Sequence, residues 1–265
     1  MPKFAANLSM LYNEHGFLDR FAAAAKDGFQ GVEYLFPYAF EKEVLAEALK
    51  ANGLAQVLHN MPAGDWDAGE RGLACLPDRI GEFQDGVGTA IDYAKALGCT
   101  QLHAMAGIRP EHSDPDKVAE TYIENLRFAA KKTEEAGIKL LIEAINTIDI
   151  PGFYLDTSAQ ALMTIETVGS ENLYFQYDIY HMQVMEGDLT RTIEKNLAKI
   201  PHMQLADNPG RHEPGTGEIN YTFLFDAIDK MGYKGWIGCE YKPKAGTSEG
   251  LGWLRPYLSA SAAAE

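Results

Sequence analysis

Short apolar segments alternate with longer segments of helical periodicity along the chain. The apolar segments are rich in β-branched and aromatic residues, which is typical of buried strands. We predict strands at 3–10, 31–36, 55–61, 100–106, 139–145, 173–180, 202–207 and 235–241. The intervening segments predict helices at 16–27, 41–52, 78–97, 115–136, 157–168, 189–199, 221–231 and 247–258. Strands that alternate with helices form βαβ units around a parallel sheet.

Eight such units predict a single (β/α)8 TIM barrel of the α/β class. The chain has 265 residues, which leaves about 33 residues for each unit, the size typical of this barrel. A doubly wound open sheet is the alternative, but it usually carries a Gly-rich turn after its first strand. Residues 11–16 contain no such turn. We therefore expect one barrel domain over residues 1–258, with 259–265 as a frayed tail.

Charge and composition narrow the function classes. The formal net charge of −15 argues against a nucleic-acid partner, because neutralising phosphates requires clustered Lys and Arg. No apolar run is long enough for a membrane span, so we expect no membrane partner. No leader-like segment precedes the first strand, and three widely spaced cysteines form no CxxC pair. We therefore expect a cytoplasmic protein with reduced, buried thiols; the oligomeric state is open, a homo-oligomer included.

Polar side chains stand at the ends of four successive predicted strands: Glu143, Asp178, Gln204 and Glu240. Taken singly, each has a plain structural explanation, such as a paired interior acid, a helix cap or a hydrogen-bonded amide. Taken together, the four ends of neighbouring strands converge, and three carboxylates in one pocket repel one another without a cation. Oxygen ligands without a Cys cluster favour a hard divalent ion, Mg²⁺ or Mn²⁺.

Several longer motifs occur in a fixed order over nearly the whole chain. They are Asn7-Leu8-Ser9-Met10-Leu11-Tyr12, Gly31-Val32-Glu33-Tyr34-Leu35-Phe36-Pro37, Ala63-Gly64-Asp65-Trp66 with Gly69-Glu70-Arg71-Gly72, Gln176-Tyr177-Asp178-Ile179-Tyr180-His181, and Gln204-Leu205-Ala206-Asp207 with Pro214-Gly215-Thr216-Gly217-Glu218-Ile219. With these motifs the chain resembles the hydroxypyruvate isomerase family, including 2-oxotetronate isomerases, within the xylose-isomerase-like barrel superfamily.

The resemblance implies a metal-dependent isomerase that interconverts a small 2-oxo acid and its hydroxy-aldehyde isomer. It also implies that Glu143, Asp178, Gln204 and Glu240 bind the metal and that Glu143 and Glu240 form the acid/base pair. Related sugar epimerases typically carry His where this chain has Gln204, which favours the hydroxypyruvate branch. Interconversion moves a proton between adjacent carbons through an enediolate, which a divalent cation stabilises as a Lewis acid.

An anionic substrate requires local positive charge. The candidates for its carboxylate are Arg71, Arg211 and Lys242, each of which could equally be a solvated surface charge. Three further side chains, His59, His103 and His181, are candidate pocket residues whose alternative is a hydrogen-bonded interior histidine. Glu33 lies inside a strand and is either a paired interior acid or a site residue.

Three rival functions stay open at this stage. A ketose 3-epimerase of neutral sugars has no need of Arg71 or Lys242 in its site. A DNA-repair endonuclease shares the barrel but needs more His ligands and a basic face, which the net charge of −15 opposes. A non-catalytic barrel that binds a sugar acid predicts no measurable turnover at all.

Overall fold

Each of the eight strands lies within the segment predicted for it. The structure, a computed structural model, describes residues 1–261. The strands are β1 (Lys3–Asn7), β2 (Gly31–Tyr34), β3 (Ala55–Asn60), β4 (Gln101–His103), β5 (Lys139–Glu143), β6 (Leu173–Asp178), β7 (His202–Leu205) and β8 (Trp236–Cys239). They are shorter than predicted, mainly because the residues after their carboxyl ends leave the sheet.

The helices also follow the predicted order. They are α1 (Asp19–Lys26), α2 (Lys42–Asn52), α3 (Ile80–Leu97), α4 (Pro115–Glu135), α5 (Ser158–Val168), α6 (Ile179–Met185), α7 (Leu189–Asn196), α8 (Tyr221–Lys230), α9 (Thr247–Gly250) and α10 (Arg255–Ser261). Side-chain caps set several starts: Asp114, Thr157 and Asn220 each accept a backbone N–H from the first turn that follows. No described helix is long and apolar enough to cross a lipid bilayer.

The strands are neighbours in chain order, and β8 pairs in parallel with β1 to close the barrel. This confirms the (β/α)8 barrel and excludes the open sheet. Parallel register sets Asn7 beside Glu33, Glu143 beside Gln176 and Gln204 beside Gly238. Since residues in register share a face of the sheet, each of these pairs points to the same side.

Two differences from the prediction concern segment ends. The strand predicted at 173–180 stops at Asp178, because the next seven residues form α6. No helix was predicted there, since the apolar residues Ile179 and Tyr180 continue the strand pattern. At the C-terminus of the chain, the segment predicted as a tail begins inside α10, which ends at Ser261. The rest of the predicted tail lies outside the described residues.

The described chain forms two compact units. The first contains residues 1–34, 43–57 and the chain from Tyr177 onward; the second contains 35–42 and 58–176. The first unit has an aromatic core in which Phe4 packs edge-on against Phe225 and Trp253, with ring centroids 5.1 and 5.4 Å apart. The single domain over residues 1–258 stays a prediction.

Candidate active site

A buried carboxylate, Glu33 of β2, lies among the polar side chains of the first unit. Its Oε1 accepts hydrogen bonds from Asn7 Nδ2 at 3.0 Å and from Gln204 Nε2 at 2.8 Å. Its Oε2 lies 2.7 Å from His202 Nε2. We call Asn7, Glu33, His202 and Gln204 the Glu33 cluster; all four are buried. Glu33 is therefore paired, as expected of an interior acid, and one of its partners is the predicted site residue Gln204.

A glycine makes room for the Glu33 carboxylate. A Cβ atom on Gly238 of β8 would lie only 2.3 Å from Glu33 Oε1, which is closer than real side-chain contacts. The backbone of Gly238 is not in the left-handed region, so the requirement is for space and not for conformation. The absence of a side chain at Gly238 thus leaves the space in which the Glu33 carboxylate lies.

Asp178 ends β6 and caps the helix that follows. Its Oδ1 accepts the backbone N–H groups of Tyr180 and His181 at 2.7 and 3.2 Å. Its Oδ2 is buried and makes no hydrogen bond to any described residue; the nearest cationic atoms are His181 Nε2 at 3.6 Å and Arg211 Nη2 at 3.9 Å. Burial raises the pKa of Asp178, and Arg211 opposes that rise.

Glu240 follows β8 and is held at both oxygens. Oε1 accepts from Asn7 Nδ2 at 3.2 Å, and Oε2 accepts from Arg211 Nη2 at 2.6 Å. Burial raises the pKa of Glu240 to about 8 against the lowering effect of Arg211, and the charges of Asp178 and Glu33 add to the rise. A carboxyl with a pKa in this range can both accept and return a proton near neutral pH.

Two predicted substrate contacts, His181 and Arg211, lie beside these carboxylates. Besides its contacts to Glu240 and Asp178, Arg211 places Nη2 3.5 Å from His181 Nε2 and its guanidinium over the Tyr180 ring, 5.2 Å from the centroid. Arg211 has a left-handed φ of 55° in the loop after β7. Asp207 holds that loop, since its carboxylate accepts backbone N–H groups from Asn208, Gly215, Thr216, Gly217 and Ile219.

Lys242 differs from Arg211. Its backbone N–H donates to the Arg211 carbonyl at 2.7 Å, but its side chain is exposed. The structure therefore connects Lys242 to the loop through its backbone, and the predicted contact of its ammonium with substrate stays a prediction.

The second unit holds Glu143 at the end of β5. Glu143 Oε2 accepts from Gln176 Nε2 at 3.0 Å and lies 3.7 Å from His103 Nδ1. The same His103 nitrogen is 3.1 Å from Asn60 Oδ1. All four side chains are buried, so two of the predicted residues, Glu143 and His103, come together with two amides that were not predicted.

His59 lies on the other side of β3. Its neighbour Asn60 contacts His103, whereas the His59 ring lies beside Tyr38 and next to the Ala90 backbone of α3. Adjacent residues of a strand point to opposite faces, so His59 faces the helix layer. Burial lowers its pKa to about 4. The structure does not bring His59 to the Glu143 group.

Arg71 lies in the long loop after β3, stacked on an aromatic ring. Its guanidinium carbon is 3.9 Å from the Trp66 ring centroid, and Nη1 donates to the Trp66 and Glu70 carbonyls at 2.9 and 2.7 Å. No carboxylate of the described chain forms an ion pair with Arg71. Stacking and the carbonyl bonds fix the plane of the guanidinium, which suits a bidentate carboxylate partner.

Sequence reasoning left four polar residues out of the site: Asn7, Asn60, Gln176 and His202. Each is a buried polar side chain within an apolar strand, the same signal that identified Glu143 and Gln204. Asn7 and Gln176 also stand inside the motifs quoted for the family resemblance. The sequence does not show their partners, because Asn7, Asn60 and Gln176 form hydrogen bonds to residues of other strands and His202 lies 2.7 Å from Glu33 of β2.

The donor set suits a hard cation. Within the first unit, Asp178 and His181 are buried side chains that could both serve as ligands of a metal ion. In the first unit the Arg211 guanidinium lies 3.9 Å from Asp178 Oδ2 and 2.6 Å from Glu240 Oε2, so two carboxylates share one positive charge there. Asp178 Oδ2 is buried and makes no hydrogen bond to any described residue, and both this oxygen and the excess of negative charge fit a divalent ion bound by oxygen.

The chain is similar in sequence and structure to known proteins over nearly its whole length. A family model for the xylose isomerase-like TIM barrel matches residues 21–257. The hydroxypyruvate isomerase of Escherichia coli K12 is 53% identical over 257 residues, which is 97% of this chain and 100% of that protein. The 2-oxo-tetronate isomerase of Cupriavidus necator is 52% identical over 258 residues, or 97% and 99% of the two chains. A crystal structure titled AP endonuclease, family 2, from Brucella melitensis has a TM-score of 0.95 and 50% identity over 97% and 99% of the two chains.

Proposed function

Because the chain belongs to the xylose isomerase-like TIM barrel family, among its hydroxypyruvate isomerase members, and is an isomerase, we propose that it interconverts a small 2-oxo acid and its hydroxy-aldehyde isomer. The substrate pair is hydroxypyruvate and tartronate semialdehyde, or a four-carbon 2-oxotetronate homologue. The observation that carries the proposal is the buried Glu240 carboxylate, which shares the Arg211 guanidinium with Asp178 at 2.6 and 3.9 Å. Burial also raises the pKa of Glu240 to about 8. The relatives whose names state these reactions share about half of their residues with it.

The reaction moves one proton between adjacent carbons. A base removes the proton from the hydroxyl-bearing carbon, and the resulting enediolate carries the electron pair. The hydroxyl proton passes to the former carbonyl oxygen, and an acid returns a proton to the former carbonyl carbon. Glu240 and Glu143 are the proposed pair, since each is a buried carboxylate at a strand end held by amide donors. General acid–base catalysis by positioned carboxylates contributes about 10²–10⁴-fold to rate.

We assign the metal to Glu143, Asp178, Gln204 and Glu240, with Mg²⁺ or Mn²⁺ as the ion. When bound, such an ion supplies Lewis acidity that stabilises negative charge on the two substrate oxygens. The residues fit the assignment, because Asp178 keeps one buried oxygen without a hydrogen bond to any described residue and Gln204 directs its amide hydrogens to Glu33. A Mn²⁺-soaked crystal without an anomalous peak among these four side chains would refute this assignment.

Arg71 is the proposed partner of the substrate carboxylate. Its guanidinium is held flat on Trp66 and has no acidic partner in the described chain. Arg211 is instead bonded to Glu240 at 2.6 Å, which supports a role in holding the acid/base group as well as contacting substrate. Among the proposed substrate contacts, His181 lies beside Asp178 and Arg211, and His103 lies beside Glu143.

The test is a proton-exchange NMR assay in D₂O with Mn²⁺ or Mg²⁺. Hydroxypyruvate, a 2-oxotetronate, a neutral ketose and a duplex with an abasic site are supplied in parallel. Isomerisation of a 2-oxo acid with deuterium incorporation supports the proposal. Turnover of the ketose alone supports a 3-epimerase, cleavage of the duplex alone supports an endonuclease, and no turnover of any substrate supports a binding protein.

A further inference from the structure

The Gln204 amide can serve as a metal ligand only in one of its two orientations. An amide has an oxygen at one end and an NH₂ group at the other, and the two ends have nearly the same shape. Only the oxygen can bind a cation. Some contact must therefore hold the NH₂ end away from the metal, and loss of that contact should weaken metal binding.

Glu33 supplies the contact. An ionised carboxylate accepts hydrogen bonds and donates none, so the 2.8 Å bond from Gln204 Nε2 to Glu33 Oε1 fixes the NH₂ end. The carbonyl oxygen is then at the end of the amide that faces away from Glu33. Both side chains are buried, at 1% and 3% exposure, so solvent offers no competing partner.

The same oxygen of Glu33 also fixes the amide that holds Glu240. Asn7 Nδ2 donates to Glu33 Oε1 at 3.0 Å and to Glu240 Oε1 at 3.2 Å. Asn7 Oδ1 accepts the backbone N–H of Ser9 at 3.0 Å, which sets the orientation of this second amide. One oxygen atom of Glu33 thus orders two residues of the proposed site, Gln204 directly and Glu240 through Asn7.

Glu33 itself is held on its remaining sides. Oε2 lies 2.7 Å from His202 Nε2, and the missing side chain at Gly238 leaves the space that the carboxylate occupies. Each of the two carboxylate oxygens therefore has a polar neighbour. A side chain held this firmly, behind the proposed ligands, matches the groups that orient metal ligands in proteins.

We infer that Glu33 is a positioning residue that sets the orientation of the Gln204 amide, so that its oxygen and not its NH₂ group faces the metal. The inference rests on the proposed function, which assigns Gln204 to the metal. Residues that orient metal ligands typically change metal affinity by about 10- to 100-fold when replaced.

The experiment is calorimetric titration of metal-free protein with Mn²⁺ alone. Glu33→Met removes the acceptor at similar length and should weaken Mn²⁺ binding by about 10- to 100-fold. Adding Gln204→Glu to that variant should restore at least tenfold of the loss, because a carboxylate presents oxygen at both ends. Asp27→Asn is the control: Asp27 accepts from Tyr12 and Ser248 outside the site, and its replacement should leave Mn²⁺ affinity unchanged.

Unchanged Mn²⁺ affinity in Glu33→Met, or no recovery in the double variant, overturns the inference while leaving the metal assignment intact. Wild-type protein that binds no Mn²⁺ overturns the metal assignment and the inference together. If Glu33→Met does not fold, Glu33→Asp is measured instead, because it withdraws the acceptor oxygen from Gln204 by one methylene. That variant should also weaken Mn²⁺ binding, and an affinity equal to that of wild type overturns the inference.

Discussion

Replacing Glu240 with Gln tests the acid/base assignment most directly. The amide has nearly the same shape and keeps an oxygen that can bind a cation, but it can no longer take up a proton in the reaction. In the structure the Glu240 carboxylate accepts from Asn7 at one oxygen and from Arg211 at the other. A Gln side chain offers one oxygen to these two donors, so one of them must face the NH₂ group. Glu143→Gln is the companion variant in the second unit.

The expected loss follows from the role. Removal of a general base costs about 10²–10⁴ in kcat, which equals about 2.7–5.5 kcal/mol of barrier. The wild-type protein should show a group titrating near pH 8 in metal-free form, since burial raises the pKa of Glu240 to about 8. We therefore expect at least a 100-fold fall in kcat for each variant, with part of the metal affinity retained.

Two readouts separate proton removal from proton delivery. Steady-state NMR measures product formed from hydroxypyruvate, and deuterium incorporation from D₂O measures exchange of the substrate's carbon-bound proton. If the two glutamates divide the transfer, we expect one variant to exchange that proton without forming product. Glu14→Gln is the matched control, because Glu14 accepts from the Thr247 N–H and hydroxyl outside the site; its kcat should equal that of wild type.

Near-normal kcat in either variant, with the metal site saturated, would refute the reasoning. The glutamate concerned would then be a ligand alone. His181, which lies 3.6 Å from Asp178 Oδ2, would be the next residue to test as the base.

Three further predictions follow from particular contacts. Arg71→Ala should lower kcat/KM for hydroxypyruvate by about 10- to 100-fold, the scale of a charged hydrogen bond, in steady-state assays; equal values would remove Arg71 from the site. Burial lowers the pKa of His59 to about 4 in the folded protein. As the pH falls below about 6.5, His59 is therefore protonated in the unfolded protein but not yet in the folded one. The free energy of unfolding should drop by roughly 2 kcal/mol between pH 7.5 and 5. Urea unfolding of His59→Leu should lack that part of the pH dependence, and the same dependence in both proteins would contradict it. Gly238→Ala should lower stability by about 1–3 kcal/mol, because its Cβ would press on Glu33. Thermal unfolding measures the effect. Gly88→Ala is the control, because nothing lies near its added Cβ, and its Tm should not fall below that of wild type. A Tm of Gly238→Ala equal to that of wild type would refute the packing argument.

The alternation of strands and helices was readable from the sequence because its signals are local. An apolar run of five or six residues, a capping side chain such as Asp114 or a left-handed glycine such as Gly98 acts on neighbours along the chain. Polar residues at strand ends could be identified from the sequence for a related reason. Burying Glu143 or Gln204 is unfavourable unless the side chain has a polar or ionic partner. Eight repeated units then left few alternatives to the closed barrel that the structure confirms.

The local signal failed where two structures share one pattern. Ile179 and Tyr180 are apolar enough for strand, but Asp178 accepts two backbone N–H groups and starts α6 there. His59 and Asn60 are adjacent polar residues in a strand buried on both faces, so hydropathy does not tell which one turns toward His103. The register of β3 with β4 decides it, and the structure selects Asn60.

The partners of the site residues depended wholly on tertiary structure. Glu33 and Gln204 are 171 residues apart, and Asn7 and Glu240 are 233 residues apart. Hydrogen bonds require atoms within about 3 Å, and residue spacing contains no information on distances between strands so far apart in the chain. The sequence therefore determined which chemical groups are available, whereas the closing of the barrel decided which of them are paired.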